Sequence, residues 1–533
     1  MYNNYTPLQQ RQLALQEYSN TQSTYLLVCA PARSTALKAT LTDQLHRKFR
    51  LVDRLDGELT ASVDGVLLAA EDVELMSTAL MYFAKALQDG ADYAVCNAVF
   101  GFGGATALYQ SQPLQAQNRC AVVSRALLER CRAAAHDPEN VPELLALAAQ
   151  LCTKPALIPQ ALLHYERGIC AEDAFSAHGK RAFIMSHVLD MTGAPIVLVS
   201  AVPVLRSMGY EVLVLGPSDG GSLHLFLDAG ASVITRSSCR NVSDAWGMAL
   251  CADFVIANTV VMARAVRALS GTAVPVLWWL HDAFAGYPHI AHQIPTQLGE
   301  NVRVYSVGSH AANAMRAVRP EFEIRPLIYG LPDYAAENFV RTDLGYNRGR
   351  PLFATVGSFE RRKGHDIFCK AIRLLPPEVR EKASFLFVGQ AADKEMMDSV
   401  RTLTADYPEN VYYCKRLTRD EIKSLMEQCT GLVCASRDDP MPTFVTEGLI
   451  FGKPSIVSEH TGTAGLISEG RNGFVYHDDD PQQLAVLLEH AIEHPEELAS
   501  MRTECRKMYE QYYSKEAFEQ TLRTAVEDLT EKK

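Results

Sequence analysis

The chain has 533 residues, 48% apolar and 21% charged, with a formal net charge of −11. That length exceeds one hydrophobic core and predicts about three domains of the soluble globular kind, and the acidic balance argues against nucleic-acid binding. No run reaches the roughly 18 apolar residues that span a bilayer, and the polar start MYNNYTPLQQRQ gives no expectation of a secretory signal. The 13 cysteines are scattered with no CxxC pair, which predicts reduced, buried thiols rather than a disulfide frame or a zinc site.

After a polar lead-in over 1–24, Tyr25–Cys29 reads as a strand, Ser34–Phe49 as a helix and Val66–Ala69 as a strand. Val73–Gln88 has helical periodicity and Tyr93–Asn97 reads as a third strand, so the pattern is α/β. The segment from Val66 to Asn97, with Ala156–Tyr165 closing the region, resembles the core of a family 2 glycosyltransferase, a GT-A fold. In that family the strand ends in an Asp-x-Asp that carries a divalent metal. Here the position reads Ala70-Glu71-Asp72, and the acid-x-acid spacing is lost. The resemblance therefore implies a degenerate GT-A-like accessory domain over 1–165, without activity and kept for packing or partner contact. The polar stretch Glu166–Lys180 is expected to be a linker.

From Ala182 the βα alternation becomes regular. Ala182–Met185 is a strand, a turn through Thr192-Gly193-Ala194-Pro195 leads into a helix to Met208, and Glu211–Leu215 is the next strand. Gly193 is expected to allow a tight turn and close ligand approach. Further strands are predicted at 232–235, 254–257, 274–279, 302–307 and 324–328. The 274–279 strand runs into His281-Asp282 at the lip of a parallel sheet, where ligands bind. His281 either faces a ligand there or pairs with Asp282 or a carbonyl and orders the loop. Tyr329 to Arg348 crosses to the next domain.

Pro351–Val356 is that domain's first strand. Gly357-Ser358-Phe359-Glu360-Arg361-Arg362-Lys363-Gly364 follows, then a helix to Leu375. A glycine turn with basic residues before a helix start can cradle a diphosphate, Lys363 as a point charge and Arg362 as a fork. Strands at 384–388 and 410–414 and a helix at 418–428 lead to Gly431–Ala435. There a strand, a loop held extended by Pro440 and Pro442, and a helix from Thr443 to Phe451 are predicted, with Thr443 as N-cap. That helix start suits an anion. Asp439 and Glu447 flank it and would repel phosphate, so they are read as acceptors for sugar hydroxyls. The final helical stretch, Tyr509–Leu529, offers Tyr512, Tyr513 and Phe518 for packing.

The pair Asp439 and Glu447, with seven residues between and Gly452-Lys453-Pro454 after, resembles the donor signature of retaining GT-B glycosyltransferases of family 4. The Gly357-to-Gly364 turn resembles that family's basic donor element. Ser358 stands where many members carry Arg, so Arg361 or Arg362 substitutes, and the first acid is Asp rather than Glu. The resemblance covers about 182–530 and implies two Rossmann-like domains, an acceptor domain at 181–340 and a donor domain at 341–490, with helices of 491–533 crossing back. It implies that Glu447 holds the ribose, Asp439 faces the transferred sugar and His281 faces the reacting centre. Gly357, Ser358, Arg362, Lys363, Met441, Pro442, Thr443 and Phe444 would bind the donor, and Thr192 and Gly193 would lie on the acceptor side.

The implied activity is sugar transfer from a nucleoside-diphosphate sugar to a glycan or lipid-linked acceptor, with retention and with no metal or other cofactor. The expected location is the cytoplasm, at the inner face of a membrane where the acceptor is lipid-linked. A nucleotide-sugar epimerase and a non-catalytic GT-B subunit stay open as alternatives.

Overall fold

The computed structural model describes residues 24–29, 35–41, 44, 46, 48–52, 54–55, 62–70, 73–76, 78–102, 106–110, 120–165, 179–218, 220–236, 248–477 and 479–530. Two compact units divide the chain, Met1–Val255 and Ile256–Lys533. Glu71 and Asp72 of the broken metal motif, the lead-in 1–23 and linker residues 166–178 lie outside the described residues.

In the first unit the strands are β1 (Leu26–Cys29), β2 (Phe49–Val52), β3 (Gly65–Ala69), β4 (Glu74–Leu75), β5 (Tyr93–Phe102), β6 (Thr106–Gln110), β7 (Cys120–Ser124), β8 (Pro155–Tyr165), β9 (Lys180–Met185), β10 (Tyr210–Gly216) and β11 (Ser232–Arg236). They follow the order β9-β10-β11-β6-β5-β7-β3-β1-β2, with β8 beside β5 and β4 beside β8. The antiparallel pair β6–β11 carries the sheet from the 26–165 region into the 180–236 region.

Three expectations are corrected here. The helix read over 34–49 covers Thr35–Leu41, and Phe49 opens β2 instead. Gln44 explains the break: its side-chain amide donates to the carbonyls of Thr40 and Met76 and accepts from the Leu80 amide, so the chain leaves the helical path. The helix read over 73–88 begins at Ala79, because Glu74 and Leu75 pair with His164 and Leu163. The 166–180 linker ends before Lys180, which is already in β9.

The second unit's first sheet runs β15-β14-β13-β12, with β12 (Phe254–Asn258), β13 (Val276–Leu280), β14 (Val302–Ser306) and β15 (Ile324–Pro326). β13 reads Val-Leu-Trp-Trp-Leu and is wholly buried, as a parallel strand covered on both faces must be. Its indoles are satisfied: Trp278 Nε1 donates to the Thr259 carbonyl at 2.8 Å and Trp279 Nε1 to that of Leu327 at 2.9 Å.

The second sheet holds β16 (Leu352–Val356), β17 (Ser384–Val388), β18 (Val411–Cys414), β19 (Gly431–Cys434), β20 (Ser455–Ser458) and β21 (Gly473–Tyr476), all parallel, in the order β18-β17-β16-β19-β20-β21. That is the doubly wound order in which the connections reverse between β16 and β19. Ligands of such sheets bind beyond the C-terminal ends of the two central strands. The last helix, Lys515–Thr530, lays Phe518 on Trp279, with centroids 5.7 Å apart and planes 14° apart.

Candidate functional site

Both motifs that the sequence suggested for donor binding leave the switch point. After β16 come Gly357, Ser358 and a tight turn at Arg361–Lys363; after β19 come the loop 435–442 and the helix Thr443–Ile450. The two loops touch along their length. Gly364 has φ +66°, and a Cβ there would sit 1.7 Å from the Ala435 carbonyl oxygen, so a glycine is required. The Arg437 amide donates to the Arg362 carbonyl at 2.7 Å, and Arg362 Nη1 reaches the Asp438 carbonyl at 3.4 Å. Arg437 in turn holds Asp366 with two bonds of 2.8 Å.

Lys363 Nζ lies 2.6 Å from Asp439 Oδ2, and both side chains are largely buried. Asp439 also accepts the Met441 amide at 3.3 Å. The structure therefore joins the cation and the acid to which the sequence assigned separate duties. Ser358 Oγ donates to Glu360 Oε1 at 2.8 Å, and Glu360 pairs with Arg362 at 3.0 Å. The Gly357 amide donates to the Val388 carbonyl at 2.9 Å.

Thr443 is not the N-cap. It is the first helical residue, and Pro442, at φ −71° and ψ 108°, holds the cap position with no side-chain cap bond. The proline ring pre-sets the turn, so the loop needs no hydroxyl to start the helix. Met441 and Phe444 are buried, and the Met441 sulfur accepts the Tyr513 hydroxyl at 3.2 Å. Glu447, buried about one turn into its helix, takes Arg419 Nη1 at 2.6 Å, and that guanidinium stands 4.2 Å from the Tyr334 ring centroid. Arg419 and Tyr334 went unnoticed in the sequence. Arg419 opens the helix Arg419–Gln428 behind its Thr418 cap, and only tertiary folding brings it to Glu447.

His281 follows β13, its ring 4.7 Å from that of Trp279. The Asp282 carboxylate accepts the Val260 amide at 2.6 Å. Burial pushes Asp282 up to about 6, against the amides of Val260 and His281, which lower it. Thr192 and Gly193 lie in the first unit, at the start of the helix Gly193–Ser207. The turn does not depend on glycine as expected: Gly193 has no positive φ, and a Cβ there would meet open space. The turn is built instead by Asp190, which accepts both the amide and the hydroxyl of Thr192.

Two residues absent from the sequence reading complete the arrangement. Asp438 Oδ1 accepts from the Phe284 amide at 3.1 Å and lies 2.7 Å from His310 Nε2, and Asp438 Oδ2 accepts the Ala285 amide at 2.8 Å. Nothing in a string with two adjacent aspartates says which one turns outward, so no local signal marks Asp438.

Residues 178–318 match glycosyl-transferase family 4, and residues 337–508 match glycosyl transferases group 1. With the two parallel sheets and the solved structures it resembles, these matches define the fold class: the chain carries two Rossmann-like domains of the GT-B kind, in segments that match glycosyltransferase family models. Spore coat protein SA of Bacillus subtilis (strain 168) is 28% identical over 160 residues, 28% of this chain and 41% of that protein. An uncharacterised glycosyltransferase of Methanocaldococcus jannaschii is 26% identical over 198 residues, 36% of this chain and 53% of that one. The chain thus spans about half or less of the curated relatives it matches. Among solved structures, Anabaena Alr3699/HepE in complex with UDP is similar in fold, at TM-score 0.54 and 18% identity, covering 66% of this chain and 100% of that one.

Proposed function

We propose that the protein transfers a sugar from a nucleoside-diphosphate sugar to a glycan or lipid-linked acceptor, with retention of configuration and without a metal ion, in the synthesis of a surface polysaccharide or glycoconjugate. The observation that carries this reading is the meeting, at one switch point, of the Arg361–Lys363 turn, the start of the helix Thr443–Ile450 and the acids Asp439 and Glu447. A diphosphate would displace Asp439 from Lys363 and take its charge from Lys363, Arg362 and the helix start. Glu447, oriented by Arg419, would accept the ribose hydroxyls. Asp439, released from Lys363, would accept those of the sugar. His281 would stand on the acceptor side.

Support comes from the two family matches and from the Anabaena protein, whose structures hold UDP and UDP-glucose. The matched Bacillus protein is a spore coat protein, in keeping with a surface product. A cytoplasmic site of action is part of the proposal; among the described residues no helix is long and apolar enough to cross a membrane. The test is a thermal-shift panel of UDP-, GDP- and dTDP-sugars, with and without Mg²⁺, on wild type and Glu447→Ala. One nucleotide class should stabilise the wild type without metal and lose its effect in the variant. Stabilisation that needs Mg²⁺ and survives the substitution would move the donor site elsewhere. Turnover of the donor without an acceptor would make the protein an epimerase.

A further inference from the structure

We propose that Asp438 is a positioning residue: it clasps the loop after His281 to the donor loop and so assembles the reaction centre. This deepens the glycosyltransferase reading and rests on it for the word reaction. The clasp itself is a matter of geometry.

Arg437, Asp438 and Asp439 are consecutive, and each side chain goes to a different partner. Arg437 returns to Asp366 beside the basic turn, Asp439 turns inward to Lys363, and Asp438 turns to the other wall. There it holds two backbone amides, of Phe284 and Ala285, and the imidazole of His310. Three bonds on one largely buried carboxylate are charge-assisted and stronger than their neutral counterparts. They define direction as well, because two amides one residue apart fit the two oxygens of one carboxylate only in a single pose.

What is held matters. The first anchored amide lies three residues after His281, and the second anchor, His310, sits at the start of the helix Ser309–Arg316. The ring of His310 also meets Phe284, at 5.1 Å between centroids. The walls close tightly here for a second, independent reason. A Cβ on Gly308 would come 2.6 Å from the Met441 side chain, and one on Gly465 would come 2.7 Å from Ser309 Oγ. The donor residues Lys363, Asp439 and Glu447 lie on one wall only. The nucleotide can therefore bind without the clasp, whereas transfer needs the His281 loop fixed to sub-ångström tolerance. Burial pushes the Asp438 carboxyl up, but His310 and the two amides reverse this and leave it below the usual carboxylate range, so it stays charged at neutral pH.

The experiment compares wild type, Asp438→Ala and His310→Gln, each checked for an unchanged circular dichroism spectrum. Amide hydrogen exchange is followed at Phe284 and Ala285, UDP, GDP and dTDP binding by calorimetry, and transfer with the sugar donor from the thermal panel. Asp438→Ala should speed exchange at the two amides about tenfold or more. It should lower kcat about tenfold or more while the donor KM stays within about threefold of wild type. His310→Gln should do the same to a lesser degree. Unchanged exchange at Phe284 and Ala285 overturns the clasp. A loss that falls on donor KM rather than kcat overturns the positioning role. If no nucleotide binds wild type, the donor reading fails, and the clasp stands or falls on the exchange alone.

Discussion

His365 opens the helix His365–Leu374 and is buried, its ring 4.5 Å from that of Phe359. Burial first, and then the charge of Lys363, drive its pKa down to about 3. A base whose folded pKa is depressed is neutral in the fold and protonated in the unfolded chain below about 6.5, so its stability contribution is lost as pH falls from 6.5 toward 3. Between pH 7 and 5 this one residue should cost wild type roughly 2 kcal/mol, a loss absent in His365→Leu when urea midpoints are compared. The Lys363–Asp439 pair makes a second prediction. Lys363→Met leaves a buried carboxylate without its cation and should lose about 3 kcal/mol, and adding Asp439→Asn should restore part of that loss. A double variant no better than the single one would mean that solvent already screens the pair. Both acids were singled out by their resemblance to a family signature. Their partners were not, because Lys363 and Arg419 are 76 and 28 residues from the groups they hold.

At the scale of the element, the basic turn depends on Gly364. Gly364→Ala combines a left-handed φ with a backbone clash against Ala435, so more than about 2 kcal/mol should be lost in denaturant unfolding. The helix Arg419–Gln428 starts with a capping box of Thr418 and Glu421. Thr418→Ala should cost about 1 kcal/mol, and, because Arg419 is the next residue, should also weaken nucleotide binding in the same thermal-shift panel used for Glu447→Ala. The regular βα units after residue 180 were readable because each strand is a continuous apolar run bounded by turn residues. The errors fell where a tertiary bond overrode periodicity. Gln44 ends a helix by bonding Met76 and Leu80, and Leu75 leaves a helical pattern to pair with Leu163.

On the scale of the whole molecule, the C-terminal segment from Arg502 to Thr530 is tied to the 256–340 portion of its unit. Phe518 stacks on Trp279, the Leu331 amide donates to the Tyr513 carbonyl at 2.8 Å, and Arg506 holds Asp333 with bonds of 3.0 and 2.9 Å. Phe518→Ala empties a fully buried site beneath β13 and should cost about 3–5 kcal/mol by urea unfolding. His281 follows that strand, so the same variant should lower transfer before it lowers nucleotide affinity.

By itself the sequence determined the α/β class and the regular βα units of the two Rossmann-like halves, since hydrophobic period and turn chemistry are local properties that each segment carries alone. Tertiary structure decided which aspartate of an adjacent pair turns inward to Lys363 and which crosses to Phe284, Ala285 and His310. It also decided that Glu447 answers to Arg419, and that the Asp190 side chain rather than a glycine builds the turn at Thr192. A side chain's partner depends on where two distant backbones come to lie, and that is set by the packing of the whole fold.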